Sequence, residues 1–104
     1  MIRTVLTLTA APEHVADVLA LYKKENILQY SLDHSDAISS EISVATDGSG
    51  TILVTALWPD QEAYDGWVQN RWRTESNKRL AELLKNTKVG TGQMFEIDHS
   101  VEKS

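Results

Sequence analysis

The chain has 104 residues, 41% hydrophobic and 24% charged, with a net charge of −5 and no cysteine. That length and composition describe one globular domain; the negative charge without a basic stripe excludes nucleic acid and an anionic membrane surface as partners. The lack of cysteine excludes disulfides, thiolate metal sites and a cysteine nucleophile, and with no signal peptide and no apolar run long enough to span a bilayer the expected place is the cytoplasm.

Residues 2–9, IRTVLTLT, alternate and are rich in β-branched side chains, so they predict a strand with Ile2, Thr4, Leu6 and Leu8 on one face. Pro12 and Glu13 then open a helix. Val15, Val18, Leu19, Tyr22 and Ile27 or Leu28 recur at a 3.6-residue period, which predicts one helix over residues 12–30. Residues 31–36 are a polar connection, and residues 37–46 predict a second strand. Asp47-Gly48-Ser49-Gly50 is a hairpin turn, because its glycines supply positive φ. It joins two strands and opens no helix, so it is not a phosphate loop; no flavin, nicotinamide or other cofactor fold is expected.

Residues 51–58, TILVTALW, are apolar or β-branched on both faces, which predicts a strand covered on both sides. Pro59 ends it, and Asp60 caps a helix that carries Tyr64 and Trp67. Gln69-Asn70 is a break, and residues 71–85 predict a further helix anchored by Trp72, Leu80, Leu83 and Leu84. Its first half is unusually polar, so its inward positions include Ser76 and either Asn77 or Arg79. Residues 86–92 read as a loop, residues 93–99 as a last strand with Phe95 and Ile97 on one face, and the remainder as a frayed tail.

The order β-α-β-β-α-α-β predicts an α+β fold of ferredoxin-like plan, with a four-stranded antiparallel sheet and helices on one face. The uncovered face carries either the Leu53/Leu57 set or the Ile52/Val54/Ala56 set. A bare apolar sheet face needs a partner, and the simplest is a second copy across a two-fold axis. The expectation is a homodimer through the sheet face, forming a dimeric α+β barrel.

The string LWPDQEAYDGW, residues 57–67, resembles the antibiotic biosynthesis monooxygenase (ABM) domain family. That resemblance implies a small dimeric α+β barrel and a cofactor-independent monooxygenase acting on a small electron-rich aromatic, a quinol or polyketide-like ring, with O2. The haem-degrading branch of the family pairs a tryptophan at the place of Trp67 with a histidine ten residues on and an asparagine on the first strand. Here those places hold Asn77 and either Thr4 or Thr7, which argues against haem degradation by that route. A non-catalytic dimeric module that binds a small ligand is the alternative.

Under the oxygenase reading Trp67, Trp72 and Tyr64 would bind the ring, with Tyr22 and Ser76 as further wall residues. Each aromatic also fits an ordinary core position. Ser76 and Asn77 face either solvent or a wet cavity, where they would hold a phenolate or a peroxide by hydrogen bonds. Of His14, His34 and His99, His34 is the first candidate for a general base, since a histidine pKa of about 6.5 suits that role; a surface place is the simpler account of each. No pair has metal-ligand spacing. Arg71 and Arg73 could bind an anion, but exposed helix charge is the simpler account.

Overall fold

The computed structural model describes residues 1–85 and 87–103. Its strands and helices are β1 (Ile2–Thr9), α1 (Val15–Lys24), α2 (Ile27–Asp33), β2 (Ser39–Val44), β3 (Thr51–Trp58), α3 (Gln61–Val68), α4 (Arg71–Leu83), β4 (Lys88–Val89) and β5 (Gln93–Glu96), with a 3-10 turn at Pro12–His14. The fold is α+β, with one antiparallel sheet and the helices layered on one face.

The sheet order is β2-β3-β1-β4, with β5 also pairing along β1. β1 and β3 run antiparallel over their full length, Ile2 opposite Trp58 and Leu8 opposite Ile52. This register puts Leu8 and Ile52 side by side under the helices, where both are fully buried. Val18 and Tyr22 of α1 and Leu84 at the end of α4 close over them. The core therefore sits at one end of the β1–β3 pair.

The hairpin turn requires its last glycine. Gly50 has φ of 84°, and a Cβ there would run into the carbonyl oxygen of Ala10. The two backbones approach that closely because Ala10 donates its N–H to the Gly50 carbonyl at 3.0 Å.

Three differences from the sequence reading have physical causes. The helix expected over residues 12–30 is broken after Lys24, because Asn26 adopts a left-handed conformation, φ 54° and ψ 39°, and restarts the chain as α2. β2 and β5 are shorter than the alternation suggested; the Ala45 N–H still reaches Thr51, and Ile97 still donates to Met1, but the ladders have ended. The stretch read as a loop after α4 contains β4, which pairs with Leu8 and Thr9 and makes the sheet five-stranded. Of the two sets that the sequence left open for the uncovered face, it is the one with Leu53 and Leu57, joined by Phe95 from β5 opposite Arg3.

Candidate active site

Beyond the Leu8/Ile52 core the helices stand away from the sheet. Between them lies a cavity of about 670 Å³, within the ~300–1,000 Å³ typical of small-molecule sites. Its floor is the helix-side face of β1 and β3, where Thr4 sits opposite Ala56 and Leu6 opposite Val54. Its roof is built from α3 and α4.

The aromatic end follows from the strand stop. Pro59 ends β3 directly after Trp58, and the Asp60 side chain caps α3 by accepting from the Ala63 N–H at 2.8 Å. That cap sets the helix so that Tyr64 and Trp67, three residues apart, both reach the cavity. Trp58 is only 3% exposed. Its indole Nε1 donates to the Thr4 hydroxyl at 3.0 Å, and the Tyr64 ring meets it edge-on, centroids 5.3 Å apart. Trp58 is thus the packed member of the pair, and Trp67, half-buried, is the one available to a ligand.

α4 supplies the polar wall. Asn70 caps it, accepting from the Trp72 N–H at 2.9 Å. Arg73, Ser76, Asn77, Leu80, Ala81 and Leu84 then line the cavity. These fall at i, i+3, i+4, i+7, i+8 and i+11, one stripe of a 3.6-residue helix. The stripe grades from polar near Trp67 to apolar near the core. Tyr22 lines the cavity as well, and desolvation by burial raises its pKa, so at neutral pH its hydroxyl stays protonated and can donate.

The structure thus brings Tyr22, Tyr64, Trp67, Ser76 and Asn77 to one cavity. It places His34 and Trp72 elsewhere. Trp72 lies about 100° around α4 from Arg73, on the flank that meets α2. There its ring stacks on His34 with centroids 4.6 Å apart, and the Tyr30 hydroxyl donates to the Trp72 carbonyl. The Asn70 amide donates to the His34 carbonyl at 3.2 Å, so His34 and Trp72 fasten the start of α4 to the end of α2. His14 faces Asp17 on an exposed turn, and His99 is exposed. Arg79 pairs with Glu25 on the same flank as Trp72, and Arg71 lies over the Trp72 ring.

Trp58 and Thr4 line the cavity although the sequence does not single them out for it, and from sequence Arg73 is weighed only as an anion binder. Trp58 reads from sequence only as the end of a strand, and Thr4 only as one of two places for a missing asparagine; Thr7 lies on the opposite sheet face. Arg73 reads as one of a pair with Arg71 that could bind an anion, with exposed helix charge as the simpler account. The helical stripe through Ser76 and Asn77, extended back one turn, would have found it.

Among the described residues, no three His, Cys, Asp or Glu side chains gather as a metal site. The arrangement can hold a flat ring against Trp67 and Tyr64 and donate hydrogen bonds to it from Tyr22, Ser76, Asn77 and Arg73.

No curated protein matches the chain. Solved structures do. A Deinococcus radiodurans protein bearing the antibiotic biosynthesis monooxygenase name is 20% identical, with a TM-score of 0.74 over 100% of this chain and 99% of that one. A mutant of SnoaB, a cofactor-independent oxygenase from Streptomyces nogalater, is 12% identical, with a TM-score of 0.72 over 98% and 97%. HapK from Hahella chejuensis is 10% identical, with a TM-score of 0.74 over 100% and 99%. At these identities the likeness is one of fold. The antibiotic biosynthesis monooxygenase family model, however, matches residues 1–79, most of the chain. The chain belongs to the antibiotic biosynthesis monooxygenase family.

Proposed function

We infer that this protein is a cofactor-independent monooxygenase that oxidises a small electron-rich aromatic, a quinol or polyketide-like ring, with O2. The observation that carries the reading is the cavity itself: its volume suits such a ring, its aromatic wall is Trp67 and Tyr64, and its donors sit opposite on α4. Family membership and the fold shared with SnoaB support the same class of chemistry.

The substrate would lose a proton to give an anion delocalised over the ring. That anion passes one electron to O2, and the resulting substrate radical and superoxide combine into a peroxide. Loss of water from the peroxide leaves a carbonyl, so that a ring methylene and one O2 give a ring carbonyl and one water. Among the described residues, the cavity wall holds no histidine and no carboxylate. The protein's contribution is then to bind the ring, exclude bulk water and donate hydrogen bonds to the developing anion, while the proton leaves to solvent.

The experiment is oxygen uptake on a panel of hydroquinones and anthrones, in air and under argon. Turnover should require O2, and Trp67→Ala should lower the rate by ~10-fold or more while the far-ultraviolet circular dichroism is unchanged. An unchanged rate in Trp67→Ala would remove Trp67 from the site. The missing general base favours a second reading, a ligand-binding module without turnover; ligands would then raise the melting temperature while no O2 is consumed.

The exposed sheet face belongs to the same proposal. Leu53 is 37% and Phe95 49% exposed, and Leu57 lies beside them in the register. A second copy, sheet against sheet, would cover this patch.

A further inference from the structure

The fixed charge on the cavity wall is opposite in sign to that of the chain. The protein carries 15 acidic and 10 basic residues, yet among the described residues no aspartate or glutamate lines the cavity; its only charged lining residues are Arg73 and Lys85. Three acidic groups of the surrounding segments have partners away from the cavity. Glu25 pairs with Arg79 on the flank of α4 that carries Trp72, Asp60 caps α3, and Asp17 faces His14. Among the described residues, neither Arg73 nor Lys85 has an acidic partner within ion-pair distance.

The two cations are not equivalent. Lys85 is exposed beyond the end of α4. Arg73 is half-buried, on the stripe it shares with Ser76 and Asn77, six residues after Trp67. A half-buried guanidinium with no carboxylate beside it keeps its donors free. It presents them in a planar fork that matches an oxyanion, in a cleft whose low-dielectric walls strengthen the attraction. The neighbouring polar groups agree in sense: Tyr22 is held protonated, and the Ser76 hydroxyl and Asn77 amide can donate. No carboxylate described on this wall offsets the two cations.

We propose that the cavity selects aromatic ligands bearing an anionic oxygen substituent, and that Arg73 is the residue that holds the oxyanion. The inference rests on the oxygenase reading for the place and the aromatic character of the ligand, and adds its charge. It gives the missing base a physical counterpart: a site that stabilises the ligand as an anion has less need to remove its proton with a side chain.

The test is equilibrium binding without turnover, read by tryptophan fluorescence, with 2-naphthoate and 2-naphthamide as probes. They share ring and shape and differ in charge. The native protein should bind the naphthoate ~10-fold or more tightly than the amide, the range of one charge-assisted contact. Arg73→Gln should remove that preference while leaving amide binding in place, Arg73→Lys should keep part of it, and Lys85→Gln should change it by less than about 3-fold, as expected of an exposed charge. 2-Naphthol, titrated from neutral pH through its ionisation, then separates a phenolate from a carboxylate as the anion recognised: tightening that follows the naphthol's own ionisation in the native protein and is absent in Arg73→Gln extends the proposal to phenolates. Equal binding of naphthoate and amide, or a preference that survives in Arg73→Gln, overturns the role of Arg73 and leaves the aromatic site standing. Binding of neither probe overturns the aromatic site and this inference with it.

Discussion

Tyr22 shows how a single position links packing to the site. It lies on the buried stripe of α1, 4% exposed, and its ring belongs to the cluster around Leu8 and Ile52. The same residue lines the cavity, and burial raises its hydroxyl pKa above the ordinary value near 10. A tyrosine whose folded pKa is raised is protonated in both states below the unfolded value, so its contribution to stability is complete there. As the pH rises past about 10 the unfolded chain ionises first, and stability falls until the folded pKa is reached. Tyr22→Phe lacks this term. The difference in urea midpoint between the native protein and Tyr22→Phe should therefore move in favour of the variant between about pH 8 and pH 10.5, the window around tyrosine's ordinary pKa. A difference that stays constant across that range would mean that the hydroxyl is as well solvated as in the unfolded chain.

At the scale of elements, the agreement between sequence and structure divides along physical lines. β1 and β3 come out with their predicted ends because alternation and the Pro59 stop both speak to backbone that is hydrogen-bonded along its whole length. The cap at Asp60 and the break at Gln69-Asn70 are local chemistry, and the structure keeps both. The break at Asn26 escaped because the apolar period continues through it: Tyr22, Ile27 and Leu28 all pack inward from either side. Periodicity reports which residues face the core, and is blind to one residue turning left-handed between them. The same blindness explains the site. Ser76, with Asn77 or Arg79, was legible as facing either solvent or a wet cavity, but the sequence does not say that α4 has two inward flanks, one over the cavity and one against α2. Trp72 and His34 belong to the second. The conformation of Asn26 makes its own prediction. A β-branched residue is disfavoured there by ~1–2 kcal/mol relative to one that tolerates positive φ. Asn26→Gly should leave the thermal midpoint within a degree or two, and Asn26→Val should lower it by several degrees. If Val proves as stable as Gly, the chain can run through residues 24–27 as a continuous helix.

The whole molecule is asymmetric in how it treats its sheet. On the helix side, β1 and β3 meet a core at one end and a ligand-sized cavity at the other. On the far side no described element covers Leu53, Leu57 and Phe95, and β2 adds only Ser39, Glu41 and Ser43 to that face. Those three polar residues mark an edge. The apolar residues lie on β3 and on β5 at the other side of β1, with Arg3, Val5 and Thr7 of β1 between them. A sheet whose other face supports a cavity has little stability to spare, since the space given to a ligand is taken from the core. Covering the far face with a second copy would compensate, because the same apolar area leaves water on both chains. The prediction is a dimer whose dissociation weakens the fold. By light scattering the native protein should have twice the 11.6 kDa mass of the chain. Leu53→Glu puts a charge into the apolar patch of each chain and should give the monomer, with a melting temperature that no longer depends on protein concentration. Naphthoate binding to that monomer, at a concentration where it remains folded, would show the cavity to be complete within one chain. A native protein that is monomeric at all concentrations would overturn the covered face, and would leave Leu53 and Phe95 free for a different partner.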